Sequence, residues 1–94
     1  MHHHSAEQNA KLVNRMSRII GHANKVKSML AEDRNCTEIL IQLAAVRAAL
    51  TSLSKLILEE HLNECMTELS EYESEEERRE AIDGLMDVVN QFIK

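Results

Sequence analysis

From Leu12 onward the apolar residues Met16, Ile19, Ile20, Ala23, Val26, Met29 and Leu30 recur at steps of three and four. That is the repeat of a helix with one apolar face, and it predicts a first helix from about residue 6 to 31 with basic residues on the opposite face. Gly21 inside this pattern costs about 1 kcal/mol against Ala, which suggests close packing or a slight bend there. Glu32-Asp33-Arg34-Asn35 contains no apolar residue and supplies turn and cap formers, so a second helix is expected to start near Cys36. No breaker follows until about Ser70, and Ile39, Leu43, Val46, Leu50, Leu53 and Ile57 keep a 3.5-residue repeat, the seam of a coiled-coil-like helix. Ala44, Ala45, Ala48 and Ala49 keep part of its surface thin. A connection this short predicts that the two long helices fold back as an antiparallel hairpin. Polar residues from Glu71 to Glu77 lead out of it, with Ser74 and Glu77 spaced as a capping box. Ala81, Ile82, Leu85, Met86, Val88, Val89 and Phe92 then form a third amphipathic stripe.

Composition agrees with an all-α fold. Pro is absent, Gly occurs twice, and Tyr72 and Phe92 are the aromatics, so an aliphatic core must be built by helices packed on helices. The 94 residues read as a single domain, 1–94, short enough that help from a partner subunit is expected. The reading is therefore an all-α, three-helix protomer, two long antiparallel helices and a short C-terminal one.

The net charge of -5 hides a strong segregation. Between Gln8 and Ala31 the charged residues are Lys11, Arg15, Arg18, Lys25 and Lys27, whereas Glu68 to Asp87 is dominated by acids. One face of an acidic protein can thus be basic enough to meet a polyanion. No uninterrupted hydrophobic run reaches the roughly 18 residues of a membrane span and no signal peptide is expected, which places the chain in the cytoplasm without a membrane partner. In a reducing cytosol two cysteines serve as thiols, ligands or redox sensors more often than as a staple. Met1-His2-His3-His4 reads equally as a tag remnant or as native sequence.

His61 and Cys65 are four apart and share a helix face, a spacing that suits two ligands on one ion. Cys36 stands twenty-five residues before His61, roughly 37 Å along a continuous helix, and cannot join them within one subunit. An antiparallel pairing of the long helix with its copy would bring Cys36 of one subunit to His61 and Cys65 of the other, giving two equal sites per dimer. Two thiolates and an imidazole suit trigonal Cu(I), or Zn(II) and Ni(II) with one more ligand. Taken singly, each residue is as readily a core thiol or a surface histidine.

These residues lie in text that resembles the CsoR/RcnR/FrmR family of helical bacterial repressors. Arg15-Met-Ser-Arg18-Ile-Ile-Gly21, Cys36, Gln42-Leu-Ala-Ala-Val-Arg47-Ala-Ala and His61-Leu-Asn-Glu-Cys65 match its pattern in order and spacing over nearly the whole chain. The resemblance implies that the protomers assemble as a four-helix-bundle dimer and then as a dimer of dimers, a homodimer or homotetramer that binds operator DNA and lets go when its sensing site is filled. It aligns Cys36, His61 and Cys65 with the ligands of the copper-sensing branch, where Cu(I) bridges two protomers. It also implies operator contacts by Arg15, Arg18 and Arg47, with Lys11, Lys25 and Lys27 as phosphate contacts. Two positions depart from the copper pattern: Asn35 stands where copper sensors carry Tyr, and Gly84 lies near their second-shell Glu. His4 occupies the spacing of the N-terminal ligand of nickel and cobalt sensors, which makes a His, Cys, His, Cys set for Ni(II), Co(II) or Zn(II) the alternative to Cu(I). His22 replaces the family's Gln and reads as an ordinary polar residue, with a modulating role as its alternative. A persulfide or aldehyde sensor of the same family is a further alternative, disfavoured by His61 and by the absence of proline after Met1.

A metal-buffering protein that never meets DNA is the competing class, for which the cysteines suffice and a basic face is merely solvated. Salt-dependent operator binding separates the two. An enzyme is not expected, since no acid/base pair, phosphate-cradling glycine loop or activated nucleophile is legible.

Overall fold

The structure, a computed structural model, describes residues 5–93. Three helices follow in order: α1, Ala6–Ala31; α2, Cys36–Leu69; and α3, Glu75–Ile93. The chain divides into two compact units, one ending at Lys55 and the other beginning at Leu56, so that α2 contributes to both.

In the first unit α1 packs on the early part of α2. Arg15 of α1 reaches Ser52, and seven residues later His22 reaches Gln42. One index rises as the other falls, so the two helices run antiparallel, as their short connection predicts. Each end of that connection has an identifiable cause. Asp33 adopts a left-handed φ of 55°, and the Asp33 and Arg34 N–H groups donate back to the carbonyls of Leu30 and Met29 at 3.2 and 3.0 Å. This is a Schellman closure with Asp where Gly is common. Asn35 Oδ1 then accepts from the Thr37 and Glu38 N–H groups at 2.8 and 3.4 Å, capping α2. Asn35→Ala should therefore cost about 1 kcal/mol in urea denaturation, the usual worth of such a cap. At the other end of α1, Ser5 and Gln8 form a capping box that the sequence pattern alone did not single out. Ser74 accepts from the Glu77 N–H at 3.1 Å at the start of α3, which is the N-cap half of the capping box that the spacing predicts.

The buried residues among those described all lie in the first unit: Ile19, Val26 and Met29 from α1, and Ile39, Val46 and Leu53 from α2. Gln42 and Ala49, half-buried, complete the α2 seam against α1. The predicted seam used Leu43 and Leu50 instead, and these remain exposed together with Leu40 and Ile41, the last two at 64% and 61%. The reason is that α2 is apolar on more than one face. A period of three and four is present in both registers, and the narrower one, with Gln42 and Ala49, lets α1 approach. With this second apolar surface α2 is long and apolar enough, by length and composition only, to cross a bilayer, a test that a helix packing on two sides also passes.

Gly21 requires no close approach within the chain, since a Cβ there would meet nothing within 4 Å. Gly21→Ala should therefore stabilise the protomer by about 1 kcal/mol through helix propensity alone. A loss of stability on denaturation would instead show that another chain closes on this face.

In the second unit α2 presents half-buried Leu58, His61, Leu62, Cys65 and Leu69, and α3 presents half-buried Ala81, Leu85 and Val89 at helical spacing. The loop before α3 is tied by the Arg78 guanidinium, whose Nη1 donates to the Tyr72 carbonyl at 2.9 Å. Among the described residues no side chain of this unit is fully buried.

Candidate metal centre and nucleic-acid surface

His61 and Cys65 sit one turn apart on α2, with Nε2 and Sγ 3.6 Å from each other. Metal–sulfur and metal–nitrogen bonds of about 2.3 and 2.0–2.1 Å place two donors on a tetrahedral ion about 3.6 Å apart. The pair is thus already spaced to share one ion. Among the described residues no three His, Cys, Asp or Glu side chains are grouped to hold a metal. Cys36, an exposed free thiol, belongs to the other unit, at the first residue of α2. His4, the fourth residue of the alternative ligand set, lies outside the described residues.

Glu60 and Glu64 each precede one of the two donors, and each has its Oε2 buried. Sequence reasoning passed over them, although the repeat Glu60-His61 and Glu64-Cys65 at a four-residue interval was there to be read.

The basic residues divide on inspection. At 100° per residue, Lys11, Arg15, Arg18, His22 and Lys25 fall within a stripe about 80° wide on α1. Lys27 stands roughly 160° from Lys11, among the exposed apolar residues Met16 and Ile20. Lys11, Asn14, Arg15, Ser17 and Arg18 line an open groove of about 600 Å³. Beside it Arg15, Arg18, Ile19, His22 and Ala49 line a smaller hollow of about 180 Å³. Arg15 is held there by its Nη2, which donates to Ser52 Oγ at 3.0 Å. Arg47, on α2 of the same unit, is exposed.

An all-helical protomer with a soft-donor pair on its long helix and a cationic stripe on its first is built like a ligand-responsive DNA-binding protein. Residues 8–91 match the family model described as metal-sensitive transcriptional repressor. The chain belongs to this family, the CsoR/RcnR family, and is a metal-sensing transcriptional repressor rather than an enzyme. The copper-sensing transcriptional repressor CsoR of Bacillus subtilis (strain 168) is 32% identical over 94 residues, all of this chain and 90% of the relative. Among solved structures, the copper-sensing repressor CsoR of Geobacillus thermodenitrificans NG80-2 with Cu(I) matches at a TM-score of 0.86 and 32% identity, covering 100% of this chain and 95% of that one. The nickel-responsive transcriptional regulator InrS matches at a TM-score of 0.77 with 45% identity, covering 97% of this chain and 99% of that one.

Proposed function

We propose that the chain is a cytoplasmic repressor that holds operator DNA when metal-free and releases it when Cu(I) binds Cys36 of one subunit and His61 and Cys65 of another. The observation that carries this reading is the 3.6 Å separation of His61 Nε2 and Cys65 Sγ, a two-donor pair that is not part of a three-ligand group among the described residues. Cys36 is the remaining thiol on α2, and its exposure leaves it available to a second copy. The exposed apolar residues Leu40, Ile41, Leu43 and Leu50 supply the surface that an antiparallel partner helix would cover. On this reading the apolarity of α2 serves helix packing and not a membrane. A dimer, or a dimer of dimers, follows.

DNA contacts are assigned to Arg15, Arg18 and Arg47, with Lys11 and Lys25 as phosphate contacts; Lys27 stands off their stripe. Filling the site favours one arrangement of the paired helices and moves these groups out of register with the duplex.

A second reading makes the ion Ni(II), with His4 as fourth ligand and Co(II) or Zn(II) as related occupants. It is favoured by the 45% identity to a nickel-responsive regulator across nearly the whole chain. Stoichiometric titration of the reduced protein under anaerobic conditions distinguishes the two. One Cu(I) per protomer, held against a strong competing chelator and indifferent to His4→Ala, supports copper. Tighter Ni(II) binding that is lost in His4→Ala transfers the assignment to nickel.

A further inference from the structure

The stripe on α1 contains one residue that is neither lysine nor arginine. His22 lines the 180 Å³ hollow with Arg15 and Arg18, and its Nε2 lies 2.7 Å from Gln42 Oε1 on α2. A carbonyl oxygen only accepts, so Nε2 carries the hydrogen and Nδ1 is the nitrogen left over. In the neutral ring Nδ1 bears a lone pair, which repels an anion. A second proton turns the same atom into a charged donor.

The groups around the ring decide what that proton needs. On α1 they are Arg15 and Arg18 before it and Lys25 after it, all cationic. On α2 Gln42 is the bonded partner; along that helix Glu38 lies one turn earlier, engaged by Arg34 at 2.9 Å, and Arg47 five residues later. Among the described residues the imidazole is bonded to Gln42 and to no carboxylate, so a phosphate is a suitable counter-charge for its protonated form.

We propose that Arg15, Arg18 and His22 form a seat for one backbone phosphate of DNA, in which His22, held by Gln42, takes up a proton as the phosphate enters. The hollow is large enough to admit a phosphate group, two guanidiniums line it, and the third donor is conditional. Arg15 and Arg18 act as permanent cations, whereas the Nδ1–H contact exists only in the protonated ring. DNA binding and proton uptake are then linked, and acidification strengthens repression independently of metal. This inference rests on the assignment of the α1 stripe to DNA.

Phosphate contacts carry no base information, so a 30-base-pair duplex of arbitrary sequence in dilute buffer is a sufficient probe. Its affinity for the metal-free, full-length protein would be followed by anisotropy from pH 8 to pH 5.5, alongside His22→Gln. Glutamine retains a neutral side chain able to bond Gln42, and it leaves His61 to report any contribution of its own. Wild type is expected to bind about tenfold more tightly per seat at the acid end, the factor that 1.4 kcal/mol of contact energy represents. His22→Gln is expected to match wild type at pH 8 and to change less than twofold over the range. An equal pH response in both proteins, or strong binding by wild type that ignores pH, overturns the proton-linked seat and leaves the DNA assignment standing. No binding of either protein to this duplex or to its own promoter at any pH overturns both.

Discussion

Cys36→Ala is expected to weaken binding of the sensed metal at least about 100-fold and to abolish metal-triggered DNA release, while leaving folding and metal-free DNA binding intact. The reasoning is geometric. Cys36 is exposed at the first residue of α2, where the cap is supplied by its neighbour Asn35, so truncating it removes no core contact. Surface changes of that kind stay within about 0.5 kcal/mol of wild type. The loss of one of three soft donors is far larger than the 10- to 100-fold effect typical of residues that merely orient ligands. Isothermal titration with a competing chelator and thermal denaturation of the same variant check the two halves together. A variant that binds metal as wild type does would show that His61 and Cys65 recruit their third donor elsewhere, with Glu60 and Glu64 the nearest acids in sequence.

The second large effect concerns the α1 stripe. Arg18→Ala should reduce affinity for a promoter fragment across all sequences tested and lower the slope of log affinity against log salt by about 1, the signature of one lost phosphate contact. Arg15→Ala should do the same, with a small additional loss of stability because its bond to Ser52 joins α1 to α2. Lys27→Ala is the internal control. Its position outside the stripe predicts an unchanged salt slope, although charge alone would rank it with Lys11 and Lys25. Equal effects at Arg18 and Lys27 would mean that diffuse charge, and not a defined face, attracts the duplex.

The helices were legible because their signals are local. The polar break at 32–35 is both a Schellman closure and an Asn cap, and each uses residues adjacent in sequence. Ser74 was readable for the same reason. What the pattern could not decide was which face of α2 meets α1, because Leu43 and Leu50 are more apolar than Gln42 and Ala49 yet lie outside the seam. Hydrophobicity ranks candidate faces only when the other faces are polar, and α2 is apolar on more than one. The same ambiguity made α2 resemble a membrane helix.

The site was legible to the extent that it is local. His61 and Cys65 fall together because a four-residue step on a helix requires it. Cys36 lies in the other unit, and the proposal joins it to them through a second chain, by spacing and family resemblance. Lys27 illustrates the limit of reading charge without phase, for the basic run contains it but the helix turns it away. His22 illustrates the converse. An isolated histidine in sequence reads as an ordinary polar residue, and only its bond to Gln42 and its place beside two arginines give it a role.

Control of DNA occupancy by metal at Cys36, His61 and Cys65 is the step on which the proposed function depends. The most direct test is anaerobic titration of the reduced protein, bound to the promoter fragment of its own operon, with Cu(I) and separately with Ni(II), reading thiolate charge-transfer absorption and DNA release in the same samples. The account predicts that release is complete when one ion per protomer has bound, with absorption and release rising together. Full occupancy of the thiolates by either ion with the DNA still held would contradict it.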